Sequence, residues 1–276
     1  MVSGVLGQTE VRALTLSPIS AELKLALHEL CQTETLLIAM DFDGTMAPLV
    51  PRAEDARASP ESAVAFSALA TLTQTTTAFI SGRALDSLRS VAQPAGNTLL
   101  IGSHGAETWF GPDAEPLRLD DSQAKLVQET IAVLNMVSAK YPGTTVETKP
   151  AGSVLHTRQA EDGTARSAVR EAITALRPLG LHLHEGKRVL EAAVLKVDKG
   201  QGIELLREVS SATGVIFAGD DRTDENGFRV LRGADVGVKV GPGESAAKFR
   251  ISSVQETAAL LQTVFQLRSE ALRARL

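Results

Sequence analysis

Cysteine and aromatic residues are scarce in this chain of 276 residues. Cys31 is the single cysteine, so no disulfide can form within the chain. Aromatic residues make up 4% of the sequence, and the core must therefore be built mainly from alanine, leucine and valine. No apolar run approaches the length that spans a membrane, and residues 1–20 show no apolar segment preceded by positive charge, as a secretory signal requires. We therefore expect a soluble, cytoplasmic protein without a membrane partner.

An excess of positive charge is also missing. The chain carries 28 lysines and arginines against 33 aspartates and glutamates, which gives a net charge of -5. This balance argues against a nucleic-acid-binding surface. The length suits one large domain or two modest ones, and residues 1–18 are predicted to form a loose arm.

The most informative stretch reads Leu-Leu-Ile-Ala-Met-Asp-Phe-Asp-Gly-Thr and begins at Leu36. Its five apolar residues are too few for a helix and are typical of a strand buried on both faces. Asp41 and Asp43 follow at once, and ligands of open α/β sheets bind at such carboxyl ends of strands. Two neighbouring carboxylates repel each other unless a cation lies between them, and their oxygens favour Mg²⁺. A polar Asp-Gly turn is the simpler alternative.

A second short strand, residues 77–80, runs into Ser81, Gly82 and Arg83 and then into a predicted helix. A serine and a glycine at such a junction are typical of a phosphate cradle, because the helix offers free N–H groups and glycine lets the phosphate approach. The same residues also cap helices that bind nothing.

A third short strand, residues 98–102, is followed by His104 and Glu107. From its small neighbours we interpret His104 as a residue that shapes a turn. Glu107 again follows a strand end, and its carboxylate could accept hydrogen bonds from sugar hydroxyls.

The last acidic motif begins at Gly219, after an apolar strand at residues 215–218, and reads Gly-Asp-Asp-Arg-Thr-Asp-Glu-Asn. Four acids within six residues would repel each other strongly without a cation. A charged helix start is the alternative, since acids stabilise a helix N-terminus. Upstream, Asp198 is a predicted N-cap, and Lys199 begins the helix that follows.

Residues 111–195 have a different pattern, with a helix, two strands, a second helix and two more strands. We interpret them as a small α/β layer with an antiparallel sheet, inserted as a second domain. Lys149, Arg158 and Glu191 are assigned to its strands. They either face a cleft or are solvated strand positions.

Together, the Asp-Phe-Asp-Gly-Thr, Ser-Gly-Arg and Gly-Asp-Asp strings and a lysine before a helix resemble the four motifs of the haloacid dehalogenase superfamily of phosphatases. Three longer strings resemble trehalose-6-phosphate phosphatases. They are His-Gly-Ala-Glu from His104, Val-Glu-Thr-Lys to Lys149 with His-Thr-Arg from His156, and the acidic motif from Gly219. The resemblance covers residues 36–240. Thr148 departs from it, because many members carry a second lysine or another polar residue there.

The resemblance implies an α/β fold with a doubly wound, Rossmann-like parallel-sheet core and an inserted α/β cap. The core would comprise residues 1–110 and 196–276, and the cap residues 111–195. The implied activity is the Mg²⁺-dependent hydrolysis of trehalose 6-phosphate to trehalose and phosphate, in trehalose biosynthesis, through an aspartyl-phosphate. The implied partners are this small-molecule substrate and, functionally, a trehalose-phosphate synthase.

Each motif residue also acquires an implied role. Asp41 would attack phosphorus, and Asp43 would act as general acid and base. Ser81 and Lys199 would bind the phosphoryl oxygens. The metal-binding residues would be Asp41, Asp43, Asp220, Asp221 and Asp224. The substrate-binding residues would be Gly82, Arg83, His104, Glu107, Lys149, Arg158 and Glu191.

Three other functions share features of this sequence. A phosphatase of another sugar phosphate, such as sucrose or mannosylglycerate phosphate, shares the chemistry, but the acidic motif argues against it. A receiver-type signalling domain also phosphorylates an aspartate beside Mg²⁺, yet it needs no inserted segment of about eighty residues, which far exceeds ordinary loop lengths. A catalytically dead sugar-phosphate sensor would not need Asp43, Ser81 and Lys199 intact.

Overall fold

The computed structural model describes residues 19–112, 119–195 and 197–275, so the loose arm predicted for residues 1–18 lies outside the described chain. The helices are α1 (Ala21–Leu30), α2 (Pro60–Leu69), α3 (Leu85–Ala92), α4 (Asp121–Lys140), α5 (Asp162–Leu176), α6 (Lys199–Val209), α7 (Asp224–Arg229) and α8 (Thr257–Arg273). The strands are β1 (Leu36–Met40), β2 (Thr75–Ile80), β3 (Leu99–Gly102), β4 (Glu107–Trp109), β5 (Thr145–Lys149), β6 (Gly152–His156), β7 (His182–Gly186), β8 (Val189–Ala193), β9 (Gly214–Gly219), β10 (Val236–Val240) and β11 (Phe249–Ile251).

The larger sheet has seven strands in the order β11-β10-β9-β1-β2-β3-β4. All neighbouring pairs are parallel except β3 and β4 at one edge. The strand order reverses direction around β1, which lies between β2 and β9. The predicted doubly wound parallel sheet is therefore confirmed, and its carboxyl edge beside β1 is the place where such sheets bind ligands.

Strand β1 is buried along its whole length because its side chains enter two different packing layers. Leu36, Ile38 and Met40 pack into a cluster that includes side chains of α1, α2 and α8. Leu37 and Ala39 pack into a second cluster with side chains of α6 and α7. This two-sided burial is why the strand reads as a continuous apolar run rather than an alternating one.

The smaller sheet lies between β4 and α6 in the sequence and has the order β5-β6-β8-β7, with every neighbouring pair antiparallel. One face carries Leu155, Leu190 and Ala192, which pack with Leu134 of α4 and Ala172 of α5. The pairing also aligns a row of side chains on the opposite face, formed by Glu147, Val154, Glu191 and His184. The alternation predicted for these strands therefore separates an apolar face from a polar one. None of the helices in the described ranges is both long and apolar enough to cross a membrane.

Several local predictions need correction. The short elements β4, α7 and β11 were missed, because three to six residues carry too little periodicity to be recognised. The hairpin between β5 and β6 turns over two residues rather than four. Arg158 is not on a strand, since the pairing of β6 with β8 ends at His156 and Val189, and Arg158 is exposed two residues beyond.

Candidate active site at the carboxyl edge of the central sheet

Three aspartates meet at the carboxyl ends of β1 and β9, which are parallel neighbours. Asp41 follows β1, Asp220 follows β9, and Asp224 begins α7. Each can present one carboxylate oxygen within 4.8 Å of the other two. Asp41 and Asp224 are buried, and Asp220 is half-buried. Three of the predicted metal-binding residues thus form one group.

Lys199 supplies the positive charge at this group. Its Nζ donates hydrogen bonds to Oδ1 of Asp41 at 2.8 Å and to Oδ1 of Asp224 at 2.6 Å, and its side chain is 2% exposed. Lys199 is the first residue of α6, and Asp198 caps that helix through a reciprocal capping box with Gln201. The helix start therefore fixes the main chain from which the lysine reaches the carboxylates.

Burial governs the electrostatics of the three carboxylates. It raises the pKa of Asp41 well above its usual range, although the Lys199 ammonium opposes this shift. Burial, together with the negative charges of Asp224 and Asp221, raises the pKa of Asp220 to about 6. Burial also acts to lower the pKa of Lys199, but the carboxylates of Asp224 and Asp41 outweigh it and raise that pKa above its ordinary value. Burial therefore disfavours the charged forms of Asp41 and Asp220 more than the single ammonium of Lys199 favours them.

The turn after β1 requires glycine at position 44. Gly44 has a φ of +83°, which is unfavourable for other residues. A Cβ atom there would lie 2.1 Å from Oδ2 of Asp220. The hydroxyl of Thr45 lies 3.5 Å from Oδ1 of the same carboxylate. The Asp-Gly dipeptide is therefore a turn, as in the simpler interpretation, and it also makes room for Asp220.

Asp43 is held by Arg83. The guanidinium donates from Nε and Nη2 to the two carboxylate oxygens, with 2.7 Å between Nη2 and Oδ1. Its Nη1 donates to Ser87 at 3.2 Å, and its central carbon lies 5.7 Å from the ring centroid of Phe42. Arg83 therefore contacts the predicted acid–base residue with a side chain that is only 10% exposed.

Asp221 lies outside the group of three carboxylates, although the sequence predicted it as metal-binding. Its Oδ1 accepts hydrogen bonds from the main-chain N–H and the hydroxyl of Thr223, each at 2.7 Å. Burial acts to raise the pKa of Asp221, but Lys199 and the bonds from Thr223 outweigh it and lower that pKa to about 2. The Asp221 N–H donates to Oδ2 of Asp224 at 2.9 Å, so this residue shapes the turn that presents Asp224.

The predicted phosphate cradle lies against an unusual turn after β3. Ser103 and His104 both have positive φ, at 48° and 56°, and such backbone strain in residues other than glycine is common at functional sites. Ser81 is buried, and its carbonyl accepts from the His104 N–H at 2.9 Å. A Cβ atom on Gly82 would lie 2.4 Å from Cε1 of His104. Glycine is therefore needed here to admit the imidazole ring.

Glu107 is buried at the start of β4. Its Oε2 accepts a hydrogen bond from Oγ of Ser103 at 2.5 Å. The carboxylate therefore stabilises the strained turn through Ser103. Its contact with a sugar hydroxyl stays a prediction.

Side chains of the smaller sheet reach the core at this same place. Lys149, which is 7% exposed, donates to the main-chain carbonyl of Gly82 at 2.8 Å and to Oε1 of Glu191 at 3.0 Å. Nε2 of His104 lies 3.3 Å from Oε2 of Glu191. Burial acts to raise the pKa of Glu191, but His104 and Lys149 outweigh it and lower that pKa to about 2. Three residues predicted to bind substrate thus form one contact between the inserted segment and the core.

A cavity of about 410 Å³ opens beside this contact. Lys199, His104 and Glu191 line it, as do several residues that the sequence analysis did not assign to the site. These are His182, His184, Arg222, Thr223, Glu225, Asn226 and Arg229. The two histidines alternate along β7 and share the polar face of the smaller sheet with Glu191. Period-two alternation predicts that both histidines lie on one face of β7. Only the register of β7 with β8 shows that this is the face of Glu191, which contacts His104 of the core.

The donor set of the acidic group fits a hard divalent cation. Asp41, Asp220 and Asp224 offer carboxylate oxygens, with no thiolate or imidazole in the group. Oxygen ligands of this kind suit Mg²⁺, Ca²⁺ or Mn²⁺ rather than softer metals. Burial raises the pKa of Asp41 and of Asp220, so their charged forms are disfavoured there, and a bound cation would favour those charged forms.

A doubly wound sheet with paired aspartates after its central strand, a buried lysine opposite them and an inserted α/β layer defines a haloacid dehalogenase-type phosphatase. Comparison with known proteins narrows this class. The family model described as trehalose-phosphatase matches residues 39–262, and the chain belongs to that family.

Individual relatives agree with this assignment. The trehalose-6-phosphate phosphatase of Escherichia coli is 31% identical over 229 residues, which covers 81% of this chain and 84% of that protein. A bifunctional trehalose-6-phosphate synthase/phosphatase of Thermoproteus tenax is 33% identical over 232 residues, which covers 82% of this chain but 31% of that protein.

Solved structures support the fold. The C-terminal domain of a trehalose-6-phosphate phosphatase from C. albicans superimposes with a TM-score of 0.72 at 19% identity, and the match covers 92% of this chain and 99% of that one. A second structure, described as a trehalose-6-phosphate phosphatase related protein, gives a TM-score of 0.70 at 24% identity over 85% of this chain and 99% of that one. At these identities the likeness establishes the architecture and not the substrate.

Proposed function

We propose that this protein is a Mg²⁺-dependent phosphatase that hydrolyses trehalose 6-phosphate to trehalose and phosphate. The observation that carries the proposal is that one cavity joins two kinds of group. Lys199, which holds Asp41, lines this cavity together with Glu191 and His104, which contact each other. The first pair suits a phosphoryl group and the second suits sugar hydroxyls. Trehalose 6-phosphate contains both a phosphoryl group and sugar hydroxyls, and family membership supports it as the substrate.

The reaction proceeds in two steps at the phosphorus atom. A carboxylate oxygen of Asp41 attacks phosphorus, the bond from phosphorus to the sugar oxygen breaks, and Asp43 gives that oxygen a proton, so trehalose leaves as a neutral alcohol. Asp43 then takes a proton from water, whose oxygen attacks phosphorus. The bond between phosphorus and Asp41 breaks, and inorganic phosphate leaves.

The other core residues bind and orient. Lys199 and Ser81 bind the phosphoryl oxygens, where negative charge spreads during the reaction. Asp41, Asp220 and Asp224, with the main-chain carbonyl of Asp43, would hold the metal. When bound, Mg²⁺ offsets the negative charge of the carboxylates and of the phosphoryl group.

The inserted segment supplies specificity. In this proposal residues 111–195 form a cap, and residues 1–110 with 196–276 form the catalytic core. The contacts of Lys149 and Glu191 with Gly82 and His104 support this division, because they are the kind of contact through which a cap excludes water from the reacting centre. The substrate-binding roles of Glu107 and Arg158 stay predictions.

We also infer a cytoplasmic location and a functional link to a trehalose-phosphate synthase. The name of the Thermoproteus tenax relative, which joins a synthase to a phosphatase in one chain, supports the link.

The decisive experiment is phosphate release from a panel of sugar phosphates that includes trehalose 6-phosphate, sucrose phosphate and mannosylglycerate phosphate. We expect trehalose 6-phosphate to be preferred, and chelation of the metal to abolish turnover. Asp41→Asn should lose about a thousandfold or more of the rate, because the nucleophile is gone. Circular dichroism of the variant checks that its fold survives.

Three results would contradict the proposal. Preference for another sugar phosphate would change the substrate, and tight binding of trehalose 6-phosphate without turnover would indicate a sensor. Wild-type rates in folded Asp41→Asn protein would remove Asp41 as the nucleophile.

A further inference from the structure

Lys239 is a buried lysine for which the proposed mechanism has no use. It lies near the end of β10, is 5% exposed, and pairs in the sheet opposite Gly219, the last residue of β9. A buried ammonium must have acceptors, because its transfer from water is otherwise strongly unfavourable. Its Nζ donates to the main-chain carbonyl of Asp220. Lys239 thus crosses from one strand to the first residue of the acidic segment on the next.

A second contact holds the far end of the same segment. Glu225 accepts hydrogen bonds from Oγ of Ser245 at 2.8 Å and from the N–H of Ala246 at 2.7 Å. Residues 220–225 are therefore bound at both ends to β10 and the chain that follows it. Only the contact from Lys239 is made to a member of the three-carboxylate group, because it binds the carbonyl of Asp220.

The position of the Asp220 carboxylate is tightly limited. It lies where a Cβ of Gly44 would be, and one of its oxygens lies within 4.8 Å of carboxylate oxygens of Asp41 and Asp224. A shift of the Asp220 main chain would move this side chain against Gly44 or away from Asp41. The hydrogen bond from Lys239 opposes such a shift, because it holds the carbonyl of the same residue.

We infer that Lys239 is a positioning residue, which holds the Asp220 peptide and thereby sets how tightly the carboxylate group binds its divalent cation. The inference rests on the proposed function, in which these carboxylates hold the metal. Groups that orient metal ligands from behind typically change metal affinity by about 10- to 100-fold when removed.

Position and charge make opposite predictions for this lysine. If Lys239 acts by position, its loss weakens cation binding, because Asp220 is no longer held. If it acts only by charge, its loss tightens cation binding, because an ammonium near the site repels a divalent cation. The sign of the change therefore separates the two roles.

The test measures metal-induced stabilisation rather than turnover. The Tm of the full-length protein is recorded across a Mg²⁺ titration for the wild type, Lys239→Met, Lys239→Arg and Lys248→Met. We expect the Mg²⁺ midpoint of Lys239→Met to rise about 10-fold or more. Lys239→Arg, which keeps a donor, should stay near the wild type. Lys248, an exposed lysine of the following segment, is the matched control and should not change the midpoint.

An unchanged or lower midpoint in Lys239→Met would overturn the inference. Comparing Tm with and without Mg²⁺ on each variant separates metal binding from a general loss of stability. The titration needs no substrate, so the inference can fail while the wild type still hydrolyses trehalose 6-phosphate. If the wild type binds Mg²⁺ but releases no phosphate, the proposed function is contradicted. The Mg²⁺ midpoints of the variants would still show whether Lys239 affects metal binding.

Discussion

Arg83 shows how one side chain in the site depends on another. The sequence assigned it to substrate binding, yet its guanidinium occupies both carboxylate oxygens of Asp43. A bidentate pair of this kind sets the orientation of the carboxylate as well as its position. The effect of Arg83 on the reaction should therefore pass through Asp43, which exchanges a proton with the leaving group.

Replacing Arg83 should affect poor leaving groups most. A sugar alcohol needs the proton from Asp43, whereas an aryl phosphate releases a stable phenolate without it. We expect Arg83→Met to lower kcat with trehalose 6-phosphate by about 100-fold, the lower range for general acid catalysis, and to lower kcat with an aryl phosphate much less. Arg83→Lys should fall between the wild type and the methionine variant, because it keeps the charge without the fork.

The ratio of the two kcat values is the measurement for Arg83. Equal losses on both substrates would mean that the arginine acts on the phosphoryl group or the fold. A rise in KM for trehalose 6-phosphate with kcat unchanged would instead support the sugar-binding role predicted from the sequence.

At the scale of elements, strand β8 connects the inserted layer to the core through Glu191. Its neighbours Leu190 and Ala192 are buried against the helices of that layer, so alternation directs Glu191 to the other face. There it meets Lys149 from β5 and His104 from the turn after β3. One carboxylate therefore links the two sheets beside the cavity.

Glu191→Ala should distinguish specificity from chemistry. With trehalose 6-phosphate we expect a loss of about 100-fold in kcat/KM, because binding energy far from phosphorus holds the cap over the reacting centre. With a small aryl phosphate, which does not reach this side chain, little change is expected. Both substrates are to be measured on one preparation, and similar losses on both would show that Glu191 serves the fold or the chemical step.

The contribution of Glu191 to stability should also fall as the pH is lowered. Its pKa falls from 4.5 to about 2 in the folded protein, so it favours folding above pH 4.5, and this contribution is lost as the pH falls toward 2. A shift of this size corresponds to at most about 3 kcal/mol.

The expected result is that Glu191→Gln is less stable than the wild type at pH 7 and that the gap narrows at pH 3. Urea unfolding of both proteins at the two pH values measures this difference directly. A gap that stays constant between pH 7 and pH 3 would mean that the folded pKa of Glu191 is not depressed.

At the scale of the whole molecule, Arg268 ties the last helix to the opposite edge of the central sheet. Its side chain is fully buried in α8. It donates to main-chain carbonyls of Cys31, Thr33, Glu34 and Gln74 and to the hydroxyl of Thr75. The acceptors lie before β1 and at the start of β2, far from the carboxyl edge that carries the site. Arg268 therefore holds α8 to the chain at the amino ends of β1 and β2 and acts as a structural clamp there.

Replacing Arg268 should lower stability without changing catalysis. We expect Arg268→Met to reduce the free energy of unfolding by about 3–5 kcal/mol, because several buried carbonyls lose their donors at once. Chemical denaturation should show this loss, and kcat measured well below the unfolding transition should remain that of the wild type. The exposed Arg273 on the same helix is the control. If Arg273→Met lowers the free energy of unfolding as much as Arg268→Met does, the buried hydrogen bonds of Arg268 are not the cause of the loss.

The sequence by itself determined the longer elements and the doubly wound class of the fold. The strand before Asp41, the N-cap at Asp198 and the helix at residues 257–273 were recognised from local pattern. Each depends on neighbours within a turn or a strand, so local pattern is enough to predict it. Parallel strands then bring their carboxyl ends to one edge. The resemblance assigned Asp41, Asp220 and Asp224 to one metal site, and these carboxylates lie together at that edge.

Only the tertiary structure decided which partner each side chain takes. Two of these contacts join residues that are distant in sequence: Arg83 binds Asp43, and Lys239 binds the carbonyl of Asp220. A third, between Asp221 and Thr223, depends on the shape of a turn that the sequence pattern does not predict. His182 and His184 line the cavity because the register of β7 with β8 puts them on the face of Glu191. Such pairings form only when tertiary packing brings the two side chains together. A hydrogen bond or an ion pair acts over a few ångströms, and separation along the sequence does not predict which side chains come that close.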